Sequence, residues 1–457
     1  MSRRDEGNMV ADAGALLPNG DTASTDAIKV PAGRVNRLMR LGGLAAGIAG
    51  GATLQAIAGI ARGTRPDARS LLASPANVRR VADELARLRG AAMKIGQLLS
   101  MDAGEVLPPE LAQILARLRD QAHIMPPSQL GQVLEREWGA GWRRQFKRFD
   151  VRPIAAASIG QVHRARTRDG RDLAIKVQYP GVARSIDSDV SNVGALLRLS
   201  GLLPKGFDIS PYLAEARRQL HEETDYAREG AQLKRFAEWL TDSDTFVVPQ
   251  YHADLSTAQI LAMSYVAGQP IETLADADAA TRNRVMTALI DLSLREVFHF
   301  GAMQSDPNFA NYRYVPQSGR IVLLDFGAAR DLHPLVTKSY ADMLRSGLVG
   351  DDHGIRDAAR ALGLIADGPD IGSSEARLLA LIAGVFEVLR AQEFDFADQT
   401  LIRALNEEGM ALAQSGYHPP SLPMDVLYLQ RKFGGLFLLG NRLRTKLCLR
   451  DIIDPYL

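Results

Sequence analysis

Residues 304–311 read Gln304-Ser305-Asp306-Pro307-Asn308-Phe309-Ala310-Asn311, and fourteen residues after Asn311 comes Asp325-Phe326-Gly327. The intervening run at 320–325 has the apolar, β-branched character of a strand. The residue types fit one chemistry. Asp306 is placed to orient or deprotonate an attacking hydroxyl or water. Asn311 and Asp325 offer the hard oxygen donors that Mg²⁺ prefers while it bridges phosphates. Each short motif is weak by itself, but their order and the strand spacing between them make chance a poor explanation.

Working upstream, Ala155-Ala156-Ala157-Ser158-Ile159-Gly160-Gln161-Val162 precedes Leu173-Ala174-Ile175-Lys176. A hairpin loop followed by a strand ending in Ala-x-Lys is the arrangement with which kinases cover ATP phosphates and hold the α- and β-phosphates. Two of the three glycines expected in such a loop are Ala155 and Ala157, and Gly160 remains. Alanine lacks the φ freedom of glycine, which predicts a stiffer loop. Taken alone, these fragments also read as a core hairpin and a snorkelling surface lysine. Lys176 needs a carboxylate partner, and Glu222-Glu223-Thr224-Asp225-Tyr226-Ala227-Arg228-Glu229 offers several. Glu223 and Glu229 are six apart, so a regular helix points them in different directions. Glu229 is assigned the Lys176 ion pair, and Glu223 and Asp225 are turned toward phosphate, metal or Lys94. A solvated acidic face is the bland alternative. Leu261-Ala262-Met263-Ser264-Tyr265-Val266-Ala267-Gly268 reads as a strand entering a hinge. There the backbone of Ser264 and Val266 would pair with an adenine edge and Met263 would form the back wall, with a plain core strand as the equal alternative.

The surrounding pattern is compatible with this site. Strands are expected at 159–166, 172–178, 246–251, 259–266 and 320–325, helices at 212–240 and 282–300, and helices throughout after 335 with a break at Gly434-Gly435. The clearest helix is 74–101, with Ser74 as N-cap, Pro75 in the first turn and an apolar stripe through Val78, Val81, Leu85, Leu88, Ala92, Ile95 and Leu99. Lys94 and Gln97 share one face beside that stripe. A helical continuation is expected through 110–119. The chain has 457 residues, 46% of them hydrophobic and 23% charged, enough for a large core without cross-links. Its one cysteine, Cys448, excludes a disulfide framework within the chain, and a net charge of +1 gives no field for nucleic acid.

With Lys94-Ile95-Gly96-Gln97 (KxGQ), the alanine-rich loop, Glu223-Thr224-Asp225 (ExD), the Asp306/Asn311 pair and Asp325-Phe326-Gly327, the chain resembles the UbiB atypical kinases, also called AarF-domain kinases. The likeness runs from about residue 40 to the C-terminus. It is closest to the coenzyme Q kinase branch, on the strength of residues 41–61 and the ending that carries Arg431-Lys432-Phe433-Gly434-Gly435. The resemblance implies an α+β, two-lobe, protein-kinase-like fold whose KxGQ helix lies across the protein-substrate site. Lys94 and Gln97 would then join Glu223 and Asp225 at the nucleotide pocket. It also implies ATP or ADP binding with Mg²⁺, slow ATP hydrolysis and a role in ubiquinone biosynthesis. Two departures from ordinary kinases fit: Ser305 stands where an activation-loop-sensing arginine is expected, and no Ala-Pro-Glu follows Gly327.

The expected organisation is a disordered tail at 1–35, an apolar Gly/Ala-rich segment at 36–65, a helical KxGQ extension at 66–145, an N-lobe with the ExD helix at 146–268 and a helical C-lobe at 269–457. Residues 41–61 carry no charge and, as a helix, reach about 30 Å, enough for a membrane helix. Gly43, Gly47 and Gly51 would give such helices a small-residue dimer seam, and a flexible linker is the alternative. Acidic residues in the tail argue against an organelle transit peptide, which points to a bacterial inner membrane with the kinase domain in the cytoplasm. The partners expected are nucleotide, membrane lipids, quinone intermediates, quinone-biosynthesis proteins and a second copy of the chain. Three functions compete: a membrane-coupled Mg²⁺ ATPase, a nucleotide-holding pseudokinase scaffold, and a small-molecule kinase.

Overall fold

Leu173, Ile175 and Val177 alternate along one strand with Ala174, Lys176 and Gln178, and the three apolar side chains are fully buried. Period-two alternation sends the two sets to opposite faces of a sheet. In the computed structural model, which describes residues 85, 88–102, 124–157, 159–200, 203, 208–306, 308–366, 372–414 and 422–457, this strand lies inside a five-stranded antiparallel sheet. Strands β1 (Phe146–Phe149), β3 (Gly160–Thr167), β4 (Asp172–Gln178) and β6 (Ile260–Ser264) lie side by side, and β2 (Ala155–Ala156) pairs with β3. In this register Lys176 sits between Val162 and Leu261. Leu173, Ile175 and Val177 pack with Ile260 and Ala262 against helix α2 (Pro127–Trp138) through Leu130, Val133 and Leu134. Trp138, Trp142, Phe146 and Phe149 close that side as an aromatic group. Lys176 faces the other way, toward the cavity.

Helix α1 (Arg89–Asp102) carries the KxGQ residues. The stripe predicted from sequence is buried where it is described: Leu85, Leu88, Ala92, Ile95 and Leu99 join one core. They pack there against α3 (Val182–Leu199) and α4 (Ser210–Glu223) through residues such as Val190, Leu213 and Leu220. Val78, Val81, residues 110–119 and the apolar segment at 41–61, with Gly43, Gly47 and Gly51, lie outside the described residues. No helix among the described residues is long and apolar enough to cross a membrane.

The helix expected over 212–240 is two helices. α4 ends at Glu223, and α5 (Tyr226–Trp239) begins after Asp225 with φ −92° and ψ 84°. The Asp225 carboxylate accepts the Arg228 N–H at 2.9 Å, a side-chain N-cap that restarts the helix.

Below the first sheet, β5 (Phe246–Val247), β10 (Arg320–Leu323), β9 (Tyr312–Val315) and β7 (Gln269–Pro270) form a second one, and β8 (Ala302–Gln304) pairs with β11 (Ala329–Asp331). Helix α6 (Ala279–Arg295) and a π-turn over Glu296–Phe300 lead into β8. Then follow α7 (Pro334–Val349), α8 (Asp352–Ala361), α9 (Ser373–Leu389), α10 (Thr400–Gln414), α11 (Met424–Leu443) and α12 (Leu449–Ile453). One short pair interrupts the helical ending: β12 (Phe394–Asp395) with β13 (Lys446–Leu447). The expected break at Gly434-Gly435 is absent, because α11 runs through both glycines. Each glycine costs a helix about 1 kcal/mol, and burial of Leu429, Leu436, Leu439 and Leu443 along the same helix outweighs that. The result is the two-lobe, kinase-like architecture expected from the motifs.

Candidate functional site

Between the lobes lies a cavity of about 1530 Å³. Its roof comes from the loop before β3: Ala155, Ala156 and Ala157 line it, with Val162 from β3. Ser158 lies outside the described residues. Gly160 does not line the cavity, nor does its backbone sit at positive φ. A Cβ there would come within 2.4 Å of the Val177 carbonyl oxygen and 3.1 Å of the Tyr226 hydroxyl. Its glycine therefore answers a close approach of two strands rather than loop freedom.

The hinge follows β6. Met263, Ser264 and Val266 all line the cavity. The Ser264 N–H already donates to the Gln250 carbonyl at 2.9 Å, and the Tyr265 N–H to Asp172 at 2.8 Å. Both N–H groups are therefore engaged within the protein. The Ser264 hydroxyl lies 3.0 Å from His252 Nε2.

On the cavity face of β4, Lys176 Nζ lies 2.9 Å from each Glu229 oxygen and 3.6 Å from Asp325 Oδ2. Glu229 is 1% exposed. It stands in the first turn of α5, behind the cavity lining rather than in it. Burial pulls the Lys176 ammonium down, but Asp325 and Glu229 together hold it well above its ordinary value. Burial pushes the Glu229 carboxyl up to about 7 against the opposing pull of Lys176. Burial also works on Asp325, yet Lys176 and the Gly327 N–H, 2.9 Å from Oδ1, keep it below the usual carboxylate range.

From the other side, Lys94 on α1 enters the cavity and pairs with Glu223. Lys94 is 6% exposed. Burial depresses it, and Glu223 and Asp306 more than restore it, so it stays charged. The backbone of Gln97 follows on α1 one turn later, and its side chain lies outside the described residues. Asp225, grouped with Glu223 at the sequence level, is exposed and does not line the cavity. The break between α4 and α5 commits it to capping.

On the floor, Asp306, Asn311 and Asp325 line the cavity together. Asn311 Nδ2 donates to Asp306 Oδ2 at 3.3 Å, which leaves the Asn311 side-chain oxygen Oδ1 available to a cation. Burial raises the Asp306 carboxyl, and Lys94 offsets only part of that rise. Phe326 is buried on Phe236 of α5, with ring centroids 4.8 Å apart, and this packing aims Asp325 inward.

Sequence reasoning missed the residues that brace this floor. Arg228 of α5 donates to the Gly327 carbonyl at 2.8 Å and to that of Ala329. Arg330 donates through Nε to the Ser305 hydroxyl at 3.2 Å and through Nη2 to Glu222 at 3.2 Å, and stacks 3.7 Å over the Tyr428 ring. A guanidinium thus stands beside Ser305, the position where an arginine was expected and absent. Its placement three residues after Gly327 was the available signal.

The donor set suits a hard divalent cation: two carboxylates and one amide oxygen facing the same cavity. Among the described residues no group of three or more His, Cys, Asp or Glu could hold a metal alone. Mg²⁺ commonly takes one or two protein carboxylates and completes its shell with phosphates and water. The residues fit Mg²⁺ as nucleotide-bound metal.

Residues 117–359 match the family model described as the ABC1 atypical kinase-like domain. The chain is 36% identical over 433 residues to the atypical kinase COQ8B, mitochondrial, of Danio rerio, covering 94% of this chain and 69% of that protein. It is 37% identical over 417 residues to the atypical kinase COQ8, mitochondrial, of Saccharomyces cerevisiae, covering 91% and 83% respectively. Among solved structures, Rv3197 of Mycobacterium tuberculosis, in complex with erythromycin, superposes with a TM-score of 0.59 at 24% identity over 82% of this chain and 93% of that one, a likeness of fold.

Proposed function

The chain belongs to the ABC1 atypical kinase family, and on that premise we propose that it binds ATP and ADP with Mg²⁺ and hydrolyses ATP slowly in support of ubiquinone biosynthesis at a membrane. The observation that carries the reading is the convergence of Lys176, Asp306, Asn311 and Asp325 on one cavity. Lys176, held charged by Glu229 and Asp325, orients the α- and β-phosphates. The carbonyl of Ser264 and the N–H of Val266 receive the base edge. Asn311 and Asp325 hold Mg²⁺, which neutralises phosphate charge when bound. Asp306 orients a water for attack on the γ-phosphorus and accepts its proton. As that P–O bond forms, the bond from the γ-phosphorus to the β–γ bridging oxygen breaks, and ADP leaves.

Lys94 argues against phosphorylation of proteins in trans. Its helix brings a cation to Glu223 and within electrostatic reach of Asp306, where a protein hydroxyl would have to enter. The same contact supports a second reading, a scaffold that holds nucleotide as a conformational signal without turnover. The quinone role rests on the resemblance to the coenzyme Q kinase branch and on the COQ8 relatives. Membrane association, a bacterial inner-membrane location and a dimer seam through Gly43, Gly47 and Gly51 are parts of the proposal that rest on sequence.

The test has two arms. Titration of ATP and ADP into the full chain with and without Mg²⁺ should show metal-enhanced binding that Asp325→Asn removes. Expression in a bacterial strain that lacks its own ABC1 kinase and accumulates no ubiquinone should restore the quinone, and Asp325→Asn should not. Restoration by Asp325→Asn, with nucleotide still bound, would favour the scaffold.

A further inference from the structure

Lys432 lies on α11, far along the chain from the catalytic loop, and is 3% exposed. Its ammonium carries three N–H donors, and three acceptors surround it. Glu296 Oε2 is 3.0 Å away, the Gln304 carbonyl 3.1 Å and the Tyr312 hydroxyl 3.3 Å. Gln304 stands two residues before Asp306, and Tyr312 directly follows Asn311. One buried cation therefore grips both ends of the segment that carries Asp306 and Asn311. We propose that Lys432 is a positioning residue for phosphoryl chemistry, fixing the spacing between Asp306 and Asn311 from behind the catalytic loop. The inference rests on the nucleotide-and-metal reading given above.

Three observations favour this over an ordinary core ion pair. The Gln304 side-chain amide is buried with neither its nitrogen nor its oxygen hydrogen-bonded, so it contributes no anchor of its own. What holds Gln304 is strand pairing with Ala329, the Glu296 carboxylate on its N–H and Lys432 on its carbonyl. Glu296 is 2% exposed at its side chain and sits on the π-turn that ends α6. That turn is an irregularity of the kind that collects at functional sites. Finally, a buried ion pair is a poor source of stability, since apolar residues of similar volume usually do as well or better. The pair has a different use here, because the same ammonium reaches past Glu296 to the loop.

The experiment compares Lys432→Met with Lys432→Met/Glu296→Gln in the full chain. The single variant strands a buried carboxylate and should melt well below wild type. The double variant removes both charges at nearly constant volume and should recover most of the melting temperature. Positioning predicts that function does not recover with it. In the folded double variant, ATP turnover falls about 10–100-fold, and Mg²⁺ no longer strengthens ATP or ADP binding, while metal-free nucleotide affinity stays within about twofold of wild type. A double variant that recovers stability, turnover and Mg²⁺-enhanced binding together overturns the inference. If the double variant does not fold, Tyr312→Phe decides. It removes one acceptor without stranding a charge, so turnover should fall several-fold at an unchanged melting temperature, and unchanged turnover overturns the inference. Wild-type protein that shows no Mg²⁺-enhanced nucleotide binding defeats the underlying reading and this inference with it. Such binding present in wild type and equally in the folded double variant defeats this inference alone.

Discussion

Lys94 of α1 and Glu223 at the end of α4 meet as an ion pair inside the interlobe cavity. The contact joins the helix that carries the KxGQ residues to the helix that ends at Glu223, within the lining of the cavity. It also places a cation near Asp306 that offsets part of the upward push burial gives that carboxyl.

Loss of this pair should open the site and loosen the fold. Breaking a fully buried pair costs about 3–5 kcal/mol. The Glu223 side chain retains 16% exposure, so Lys94→Ala should cost less, about 2 kcal/mol by denaturant unfolding. Association of a fluorescent nucleotide, followed by stopped flow, should become several-fold faster. An unchanged association rate would mean that Lys94 does not gate entry.

The Lys176–Glu229 pair makes a prediction with a pH sign. In Lys176→Met, Glu229 loses the cation that opposes its upward shift, so its folded pKa rises further. A carboxyl whose folded pKa is raised gives stability that is present below its unfolded value, near 4.5, and lost as pH rises through the folded value. The melting temperature of Lys176→Met should therefore fall relative to wild type as pH is taken from about 5 to 8. Adding Glu229→Gln should flatten that dependence without restoring nucleotide affinity. Parallel melting curves for the single variant and wild type would contradict the pairing.

Gly160 and the alanines before it should respond differently to substitution, one in stability and the other in nucleotide affinity. Gly160→Ala sets a Cβ 2.4 Å from the Val177 carbonyl oxygen, and should cost about 1–3 kcal/mol of stability as overpacking. Ala157→Gly relaxes a loop residue and should change nucleotide affinity while lowering stability by no more than about 1 kcal/mol. Thermal melts and nucleotide titrations on the two variants check both halves.

Metal binding should need nucleotide. Asp306, Asn311 and Asp325 supply few donors, and Asp325 already faces Lys176 at 3.6 Å. Titration of Mg²⁺ into nucleotide-free protein should give no saturable heat at low millimolar concentration, and the same titration with ADP present should. Tight Mg²⁺ binding without nucleotide would show a metal site of another kind.

Much of the cavity lining was legible because the kinase-like motifs set certain residue types at fixed sequence distances. Asp306, Asn311 and Asp325 lie within one stretch, and the strand alternation that points Lys176 into the cavity is local as well. The α1 stripe was readable for the same reason, since a helix that must pack shows its period. The break at Asp225 was not. Thr and Asp also occur on solvated helices, and only the folded backbone shows that Asp225 caps α5 instead of facing the cavity. Gly434 and Gly435 misled in the opposite direction, because helix propensity yields to tertiary burial. The contacts of Lys432 were illegible for a third reason. Lys432 reaches the Gln304 carbonyl across 128 residues, and no local spacing around Arg431-Lys432-Phe433 points to so distant a partner.

The most direct measurement is Mg²⁺-dependent phosphate release from ATP by the full chain, with Asp325→Asn as the comparison and with vesicles of anionic lipid added or omitted. Slow release that requires Mg²⁺, disappears in Asp325→Asn and rises with vesicles is the predicted result. Release equal in wild type and Asp325→Asn, or no release by a wild-type protein that binds ATP with Mg²⁺, would contradict the assignment of this cavity as a hydrolytic site.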